Sequence, residues 1–268
     1  MSDVPADSTH QKRNEAYTIL PHPSEPRLLM LPEESGWSLP HFPRSEGWPP
    51  AVADVAPAMR AIFDIDAHVL RCVHYHDGGE EDGEETIFAL EYAGEIGLPP
   101  GARWIGSGDL HDLPFTYPAH RDVLAAWLAA YQSGEVPEER PPWQRPGWHS
   151  TATSWVLDRL VEAEMPATGE VEQIKSWGIS CVLRVPTAAG YVYFKAVPPL
   201  FAREPVVTRA LAVAHPRHVP TPIAIDVEHR WMLLRDIGGV LLGNSDAVHW
   251  EAALRSFAAI QIDWSERT

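Results

Sequence analysis

The alternation of apolar and polar residues divides the first half of the chain into short strands and two amphipathic helices. Alternating or short apolar runs bounded by Pro and Gly predict strands at residues 17–20, 27–31, 69–76 and 86–92. Apolar residues at helical spacing predict helices at residues 49–65 and 121–131. The polar segment 77–85 predicts an acidic loop between two strands. The pattern therefore indicates a domain that combines helices with strands.

The second half has the predicted order of three strands, one helix and two strands. The strands are expected at residues 172–176, 181–185, 191–197, 223–227 and 231–235, and the helices at residues 154–164, 205–214 and 247–262. Between the halves, residues 137–148 read PEERPPWQRPGW, and this density of prolines marks a domain boundary. We predict a two-domain α+β or α/β protein, divided into residues 1–136, a linker and connecting helix at 137–170, a second domain at 171–239, and a further helix at 240–268.

Composition and charge narrow the set of partners. With 37 acidic and 21 basic residues the formal net charge is −16, which repels nucleic acid and anionic lipid. Residues 1–16 are polar and lack the apolar core of an export signal. Two cysteines, Cys72 and Cys181, are too few for a disulfide framework. We expect a cytoplasmic protein that binds neither nucleic acid nor membranes.

Four segments of the second domain resemble a known family. They are residues 173–185 (QIKSWGISCVLRV), 191–197 (YVYFKAV), 201–205 (FAREP) and 231–239 (WMLLRDIGG). Together they resemble the N-terminal lobe of aminoglycoside phosphotransferases, which are relatives of choline kinase and of the protein kinases. The resemblance covers residues 170–268. It implies a five-stranded antiparallel sheet with one helix, and a site for ATP or GTP.

The resemblance also assigns a role to each candidate binding residue. Lys195, on the third strand, would hold the nucleotide phosphates, and Glu204, from the adjoining helix, would orient it as an ion pair. A turn over the phosphates and a hinge that presents backbone groups to adenine complete the site. The turn residues are Gly178, Ile179 and Ser180, and the hinge residues are Leu234, Arg235, Asp236 and Ile237.

Each of these residues also has an ordinary structural interpretation. Taken singly, Lys195 would be a solvated charge at a strand end, and Glu204 an acid favoured at a helix N-terminus. Asp236 would belong to a strand-ending turn. The order and spacing of the whole set favour the nucleotide site.

The catalytic residues of such a kinase are missing from this sequence. Phosphate transfer in the family requires a loop that resembles His-Gly-Asp-x-x-x-x-Asn, and a later aspartate that holds Mg²⁺. Asp246 lacks a preceding His-Gly, and Asp263 lies close to residue 268. We expect a fragment or a truncated gene product that binds nucleotide without transferring phosphate. Mg²⁺ and a small hydroxyl acceptor, which the sequence does not identify, are expected only in a longer kinase.

The first domain resembles a Nudix hydrolase of α/β/α sandwich type. The resemblance rests on residues 36–41 followed by a helix at 51–66, and on residues 102–110 followed by the helix from Arg121. An active site of that family needs a glycine-rich loop and a helix of Arg-Glu-x-x-Glu-Glu type to gather Mg²⁺. Here the loop is residues 41–47. On the helix Arg60 fits and Asp64 could supply one carboxylate, whereas Ala61 and Ile65 occupy acidic positions.

We therefore expect an inactive Nudix-like domain that packs against the kinase lobe. Two alternatives stay open for the whole protein: a Mg²⁺-dependent Nudix-type hydrolase of nucleoside diphosphate-linked substrates, and a non-enzymatic binding module or scaffold. His74 and His76 share one strand face and form a weaker candidate for a metal site, although paired histidines at a solvated strand end are more common.

Overall fold

The computed structural model describes residues 14–44, 48–78, 83–239 and 242–267, and these contain mixed α+β structure. The chain divides into two units. Unit 1 is Met1–His149 with Gln173–Ile179, and unit 2 is Ser150–Glu172 with Ser180–Thr268. The predicted two-domain α+β class is confirmed. None of the described helices combines the length and the apolar character needed to cross a membrane.

The elements are numbered in chain order. The first ten are β1 (Glu15–Ile19), β2 (Leu28–Glu33), β3 (Gly36–Ser38), β4 (His41–Pro43), α1 (Val55–Phe63), β5 (Asp66–Asp77), β6 (Glu84–Ala93), β7 (Arg103–Ile105), α2 (His120–Ser133) and α3 (Trp148–Glu162). The remainder are β8 (Glu172–Trp177), β9 (Ser180–Thr187), β10 (Gly190–Ala196), α4 (Glu204–Ala214), β11 (Pro222–Asp226), β12 (Trp231–Arg235) and α5 (Ala247–Glu266). Residues 45–47 of the predicted Nudix-like loop, residues 79–82 of the predicted acidic loop, and residues 240–241 lie outside the described residues.

Unit 1 contains two sheets, and α1 and α2 lie against opposite faces of the larger one. The larger sheet has the order β4-β1-β6-β5, with β1 and β6 parallel, and the smaller has the order β3-β2-β7. Successive side chains of a strand point to opposite faces. Ala16 of β1 accordingly packs in one core cluster with Met59 of α1, and Tyr17 packs in the other with Leu124 of α2. This is the layered α/β/α arrangement that the sequence predicted.

The helix predicted at residues 49–65 is shorter in the structure because its first residues pair with β8. The N–H of Ser176 donates to the carbonyl of Pro50 at 3.0 Å, and the N–H of Val52 donates to Ile174 at 3.2 Å. Ala51, between them, forms an isolated antiparallel bridge with Lys175, so these residues are not helical. A contact between segments far apart in sequence therefore overrides the helical spacing.

A buried glutamine attaches the same segment to β5. The side-chain oxygen of Gln173 accepts from the N–H of Val69 at 2.8 Å, and its amide donates to the carbonyl of Val69 at 3.0 Å. The register of β5 shifts between Val69 and Arg71, so the backbone groups of Val69 are available to a side chain. This accounts for the assignment of residues 173–179 to unit 1.

Unit 2 is organised around β10. The sheet has the order β11-β12-β10-β9-β8; the strands β9 to β12 belong to unit 2 and their three pairings are antiparallel, whereas β8 from Gln173 onward belongs to unit 1. Val192 and Phe194 are buried, which leaves Lys195 on the opposite face of β10. Phe194 packs edge-to-face on Trp155 of α3 at 5.8 Å and on Trp231 of β12 at 5.5 Å. The predicted five-stranded sheet with an adjoining helix is confirmed.

Candidate functional site

Lys195 and Glu204 form an ion pair in unit 2. Lys195 lies near the end of β10, where its Cα is opposite Val182 on one side and Met232 on the other. A short 3-10 turn at Pro199–Phe201 then leads to α4, whose first residue is Glu204. This strand–turn–helix path brings the Lys195 Nζ into hydrogen-bonding contact with Oε1 of Glu204, nine residues along the chain.

The ion pair with Glu204 does not use every donor of the Lys195 ammonium group. An ammonium group has three donors, and Glu204 is the only hydrogen-bond partner of Lys195 Nζ within the described part of the chain. The two side chains are 32% and 31% exposed. An ion pair with this access to water contributes about 1 kcal/mol or less to stability.

The predicted phosphate turn falls at the border of the two units. Gly178 and Ile179 belong to unit 1 and Ser180 to unit 2. The space around the Gly178 Cα is open, because a Cβ built there meets no atom within 4 Å. Ile179 is exposed, whereas Ser180 is buried at the start of β9. The role expected for Ser180, a hydroxyl or a backbone N–H turned to the phosphates, stays a prediction.

The predicted hinge continues from β12 into a turn. Leu234 is half-buried, and the three residues that follow are exposed. The N–H of Asp236 donates to the carbonyl of Tyr191 at 3.2 Å, and the side chain of Asp236 accepts from the N–H of Gly238 at 2.9 Å. The Asp236 N–H, one of the groups expected to face adenine, is already bound within the protein.

In unit 1, α1 does not present the carboxylates of a Nudix site. Its sequence, VAPAMRAIF, contains no acidic residue. Asp64 follows the end of the helix in the left-handed conformation, with φ of 56°, and its N–H donates to the carbonyl of Arg60. The Arg60 guanidinium pairs instead with Asp66 at 2.6 Å, on an exposed surface. Ala61 and Ile62, on the last turn of α1, are also exposed.

The described residues of the chain contain no group of three or more His, Cys, Asp or Glu placed to hold a metal ion. His74 Nε2 lies 3.9 Å from Oε1 of Glu85, and His76 is exposed. Among residues 14–44, 48–78, 83–239 and 242–267, the donors needed for Mg²⁺ are therefore not assembled around α1, and the candidate pair His74 and His76 gains no third ligand.

A polar cluster against α2 was not predicted from the sequence. The ring of Tyr17 lies 4.6 Å from that of His120 and 5.3 Å from that of His41. His120 Nε2 lies 3.0 Å from Oε1 of Glu85, and this hydrogen bond lowers the pKa of Glu85. Burial, followed by a hydrogen bond with Tyr117, raises the pKa of Tyr17 far above its usual value. In the sequence, Tyr17 is only a tyrosine in an apolar strand, and such a residue alone does not indicate a polar cluster.

Comparisons with known proteins give distant structural likenesses only. No family model and no curated protein matches the chain. The E. coli ORF135 protein is 16% identical, with 47% of this chain and 96% of that one covered and a TM-score of 0.37. A NUDIX hydrolase from Nitrosomonas europaea is 14% identical, with coverage of 47% and 76% and a TM-score of 0.36. An ADP-ribose pyrophosphatase from Streptococcus suis is 20% identical, with coverage of 47% and 97% and a TM-score of 0.35.

These likenesses are too distant to carry an argument about activity. They place this chain in no family.

Proposed function

We propose that unit 2 binds a nucleoside triphosphate, ATP or GTP, through Lys195 and Glu204. The observation that supports this is the ion pair between a strand-borne lysine and the first residue of the adjoining helix. In kinases an ion pair of this kind holds an ammonium group against the nucleotide phosphates. The free donors of Lys195 would bind phosphate oxygens, while Glu204 keeps the Nζ in position.

The proposal for this chain is limited to binding. Its 268 residues contain no His-Gly-Asp motif, so the residue that accepts the hydroxyl proton in the resembling kinases has no counterpart here. A phosphate acceptor, Mg²⁺ and phosphotransferase activity are not part of this proposal. The cytoplasmic location, and the absence of nucleic-acid and membrane partners, also stay predictions from composition.

Titration of the chain with ATP by isothermal calorimetry tests this proposal. Loss of a charge-assisted hydrogen bond is worth about 1.5–3 kcal/mol, so Lys195→Ala should weaken binding by about tenfold or more. Glu204→Gln removes the orienting charge and should weaken binding by a smaller factor. Arg209→Ala is the matched control, because Arg209 is an exposed cation on α4. Equal affinities of the wild type and Lys195→Ala would refute the proposal.

The second candidate function is Mg²⁺-dependent hydrolysis of a nucleoside diphosphate-linked compound by unit 1. It is supported by the packing of α1 and α2 against opposite faces of the larger sheet, an arrangement that resembles the Nudix fold. The residues of α1 do not fit the metal, since none is acidic. We expect no release of phosphate or mononucleotide from ADP-ribose or nucleoside triphosphates. Mg²⁺-dependent release that Asp64→Ala abolishes would establish the hydrolase instead.

A non-enzymatic binding module or scaffold is the remaining possibility. A ligand that binds only the folded state raises the melting temperature. If neither nucleotides nor Mg²⁺ raises the melting temperature of the chain, the scaffold function would be preferred to both enzymatic candidates.

A further inference from the structure

Unit 1 contains a cavity of about 340 Å³ that none of the functions above uses. It is bounded by β5, β6, the second half of α2, and the proline-rich segment that follows α2. This volume is within the range of small-molecule sites, which begins at about 300 Å³. All the residues that line the cavity belong to unit 1.

One wall of the cavity is aromatic. Trp127 and Tyr131, one helical turn apart on α2, stack with their ring centroids 4.9 Å apart and their planes at 17°. Trp127 is buried, whereas Tyr131 is 42% exposed at the rim. The hydroxyl of Tyr92 donates to the carbonyl of Pro21 at 2.9 Å, which fixes a third ring. Such a wall suits a planar ring as ligand.

The other distinctive feature is a pair of arginines. Arg71 and Arg140 both line the cavity, and within the described residues neither has a carboxylate partner. Burial, and then the positive charge of Arg140, lower the pKa of Arg71. An anion bound between two guanidinium groups that line the same cavity would offset the repulsion between them.

The one carboxylate that lines the cavity is already engaged. Oε2 of Glu91 lies 2.8 Å from Nε2 of His68, and Oε1 accepts from the N–H of Gly147 at 2.8 Å. Both oxygens of Glu91 therefore already have partners other than the two arginines. No ion pair of Glu91 with either arginine is formed within the described residues.

We propose that this cavity binds an aromatic phosphate monoester, with its ring against Trp127 and Tyr131 and its phosphate between Arg71 and Arg140. A guanidinium group pairs with phosphate oxygens through two parallel hydrogen bonds. Two such groups match the two negative charges of a phosphate monoester. The site is independent of Lys195 and Glu204, which belong to unit 2.

The test uses the whole chain and 1-naphthyl phosphate as the probe, with binding measured by isothermal calorimetry. Arg71→Gln and Arg140→Gln should each weaken binding by about tenfold or more, because each removes a charge-assisted contact. Arg27→Gln is the matched control, since Arg27 is an exposed arginine of unit 1 that pairs with Glu25. It should bind the probe as the wild type does. Inorganic phosphate and 1-naphthol should each bind at least about tenfold more weakly than the whole probe.

Further variants keep the proposal refutable if one substitution prevents folding. Tyr131→Leu changes a ring at the rim, so it should fold and should weaken binding of 1-naphthyl phosphate. Arg140→Lys retains the charge and should restore part of the affinity lost in Arg140→Gln. Absence of binding at millimolar probe, unchanged affinity in both glutamine variants, or a loss of affinity confined to Lys195→Ala would overturn the proposal.

Discussion

The pH dependence of stability should be strongest at His149, which is partly buried beside a second histidine in unit 1. Its ring stacks on that of His68 with centroids 4.1 Å apart and planes at 17°. Its Nε2 is buried and has no hydrogen-bond acceptor or donor among the described residues. Burial, followed by the proximity of His68, lowers the pKa of His149 from 6.5 to about 4, although Glu91 acts in the opposite direction.

The sign of the effect follows from proton binding in the two states. In the unfolded chain His149 takes up a proton near pH 6.5, whereas in the folded chain it does so only near pH 4. Because the unfolded state binds more protons between these values, acidification destabilises the fold across this window. At about 1.4 kcal/mol per pKa unit, the full loss is about 3 kcal/mol. The pKa of Glu91 is also lowered from 4.5 in the folded chain. The stability that this carboxylate contributes is therefore lost only as the pH falls below about 4.5.

Urea unfolding of the wild type and of His149→Phe, followed at several pH values from 7.5 to 4, measures this contribution. Phenylalanine keeps a ring against His68 but does not titrate. The relevant quantity is the free energy of the unfolding transition that exposes unit 1, since two units can unfold separately. As the pH falls from 7 to 4, the free energy of unfolding of His149→Phe should rise by about 3 kcal/mol relative to that of the wild type. Parallel pH profiles, or an NMR titration of His149 with a midpoint near 6.5, would refute the reasoning.

Two further predictions concern stability, each with a matched control measured by urea unfolding. Arg44→Met should lower the free energy of unfolding by about 3 kcal/mol. The buried Arg44 side chain pairs with Asp54 at 3.0 Å, and the substitution leaves this carboxylate without its partner. Arg27→Met should cost less than about 1 kcal/mol, because its ion pair is half-exposed. Gly36→Ala should cost about 1–3 kcal/mol, because the new Cβ would lie 2.5 Å from the carbonyl oxygen of Pro114. The Cβ of Gly97→Ala would meet no atom within 4 Å, so this control should be as stable as the wild type. Equal losses of stability for Arg44→Met and Arg27→Met, or for Gly36→Ala and Gly97→Ala, would contradict the geometry.

Local periodicity was sufficient to predict most of unit 2. The predicted strands at residues 191–197 and 231–235 correspond to β10 and β12, and the helix predicted at 205–214 corresponds to α4. Their inward positions alternate regularly, since every second side chain of β10 is buried. The helix predicted at residues 49–65 is wrong in its first residues, because the bonds of Pro50 and Val52 to β8 could not be deduced from neighbouring residues.

The difference between local patterns and contacts of distant segments also explains why the sequence predicted the Lys195 site but not the cavity with two arginines. Lys195 and Glu204 are nine residues apart within a strand, a turn and a helix, so their meeting follows from the local path of the chain. Arg71 and Arg140 lie on β5 and after α2, and only the packing of the sheet and helix brings both to one cavity. A sequence pattern cannot specify such a pair without the pairing of distant elements.

Because the chain is rich in acidic residues, an arginine without a carboxylate partner is a feature that needs an explanation. With 37 acidic side chains for 21 basic ones, a typical arginine has many carboxylates available as partners. Arg44 and Arg184 illustrate this, since each pairs with an acid of its own unit. Arg71 and Arg140 share a cavity without such a partner within the described residues. Because salt screens charges beyond about 10 Å, the net negative charge of the protein repels an anion mainly close to the surface, and short-range contacts inside the cavity have to supply the attraction. Affinity for the aromatic phosphate should therefore depend on both guanidinium groups, whereas the net charge of the protein should mainly slow its association.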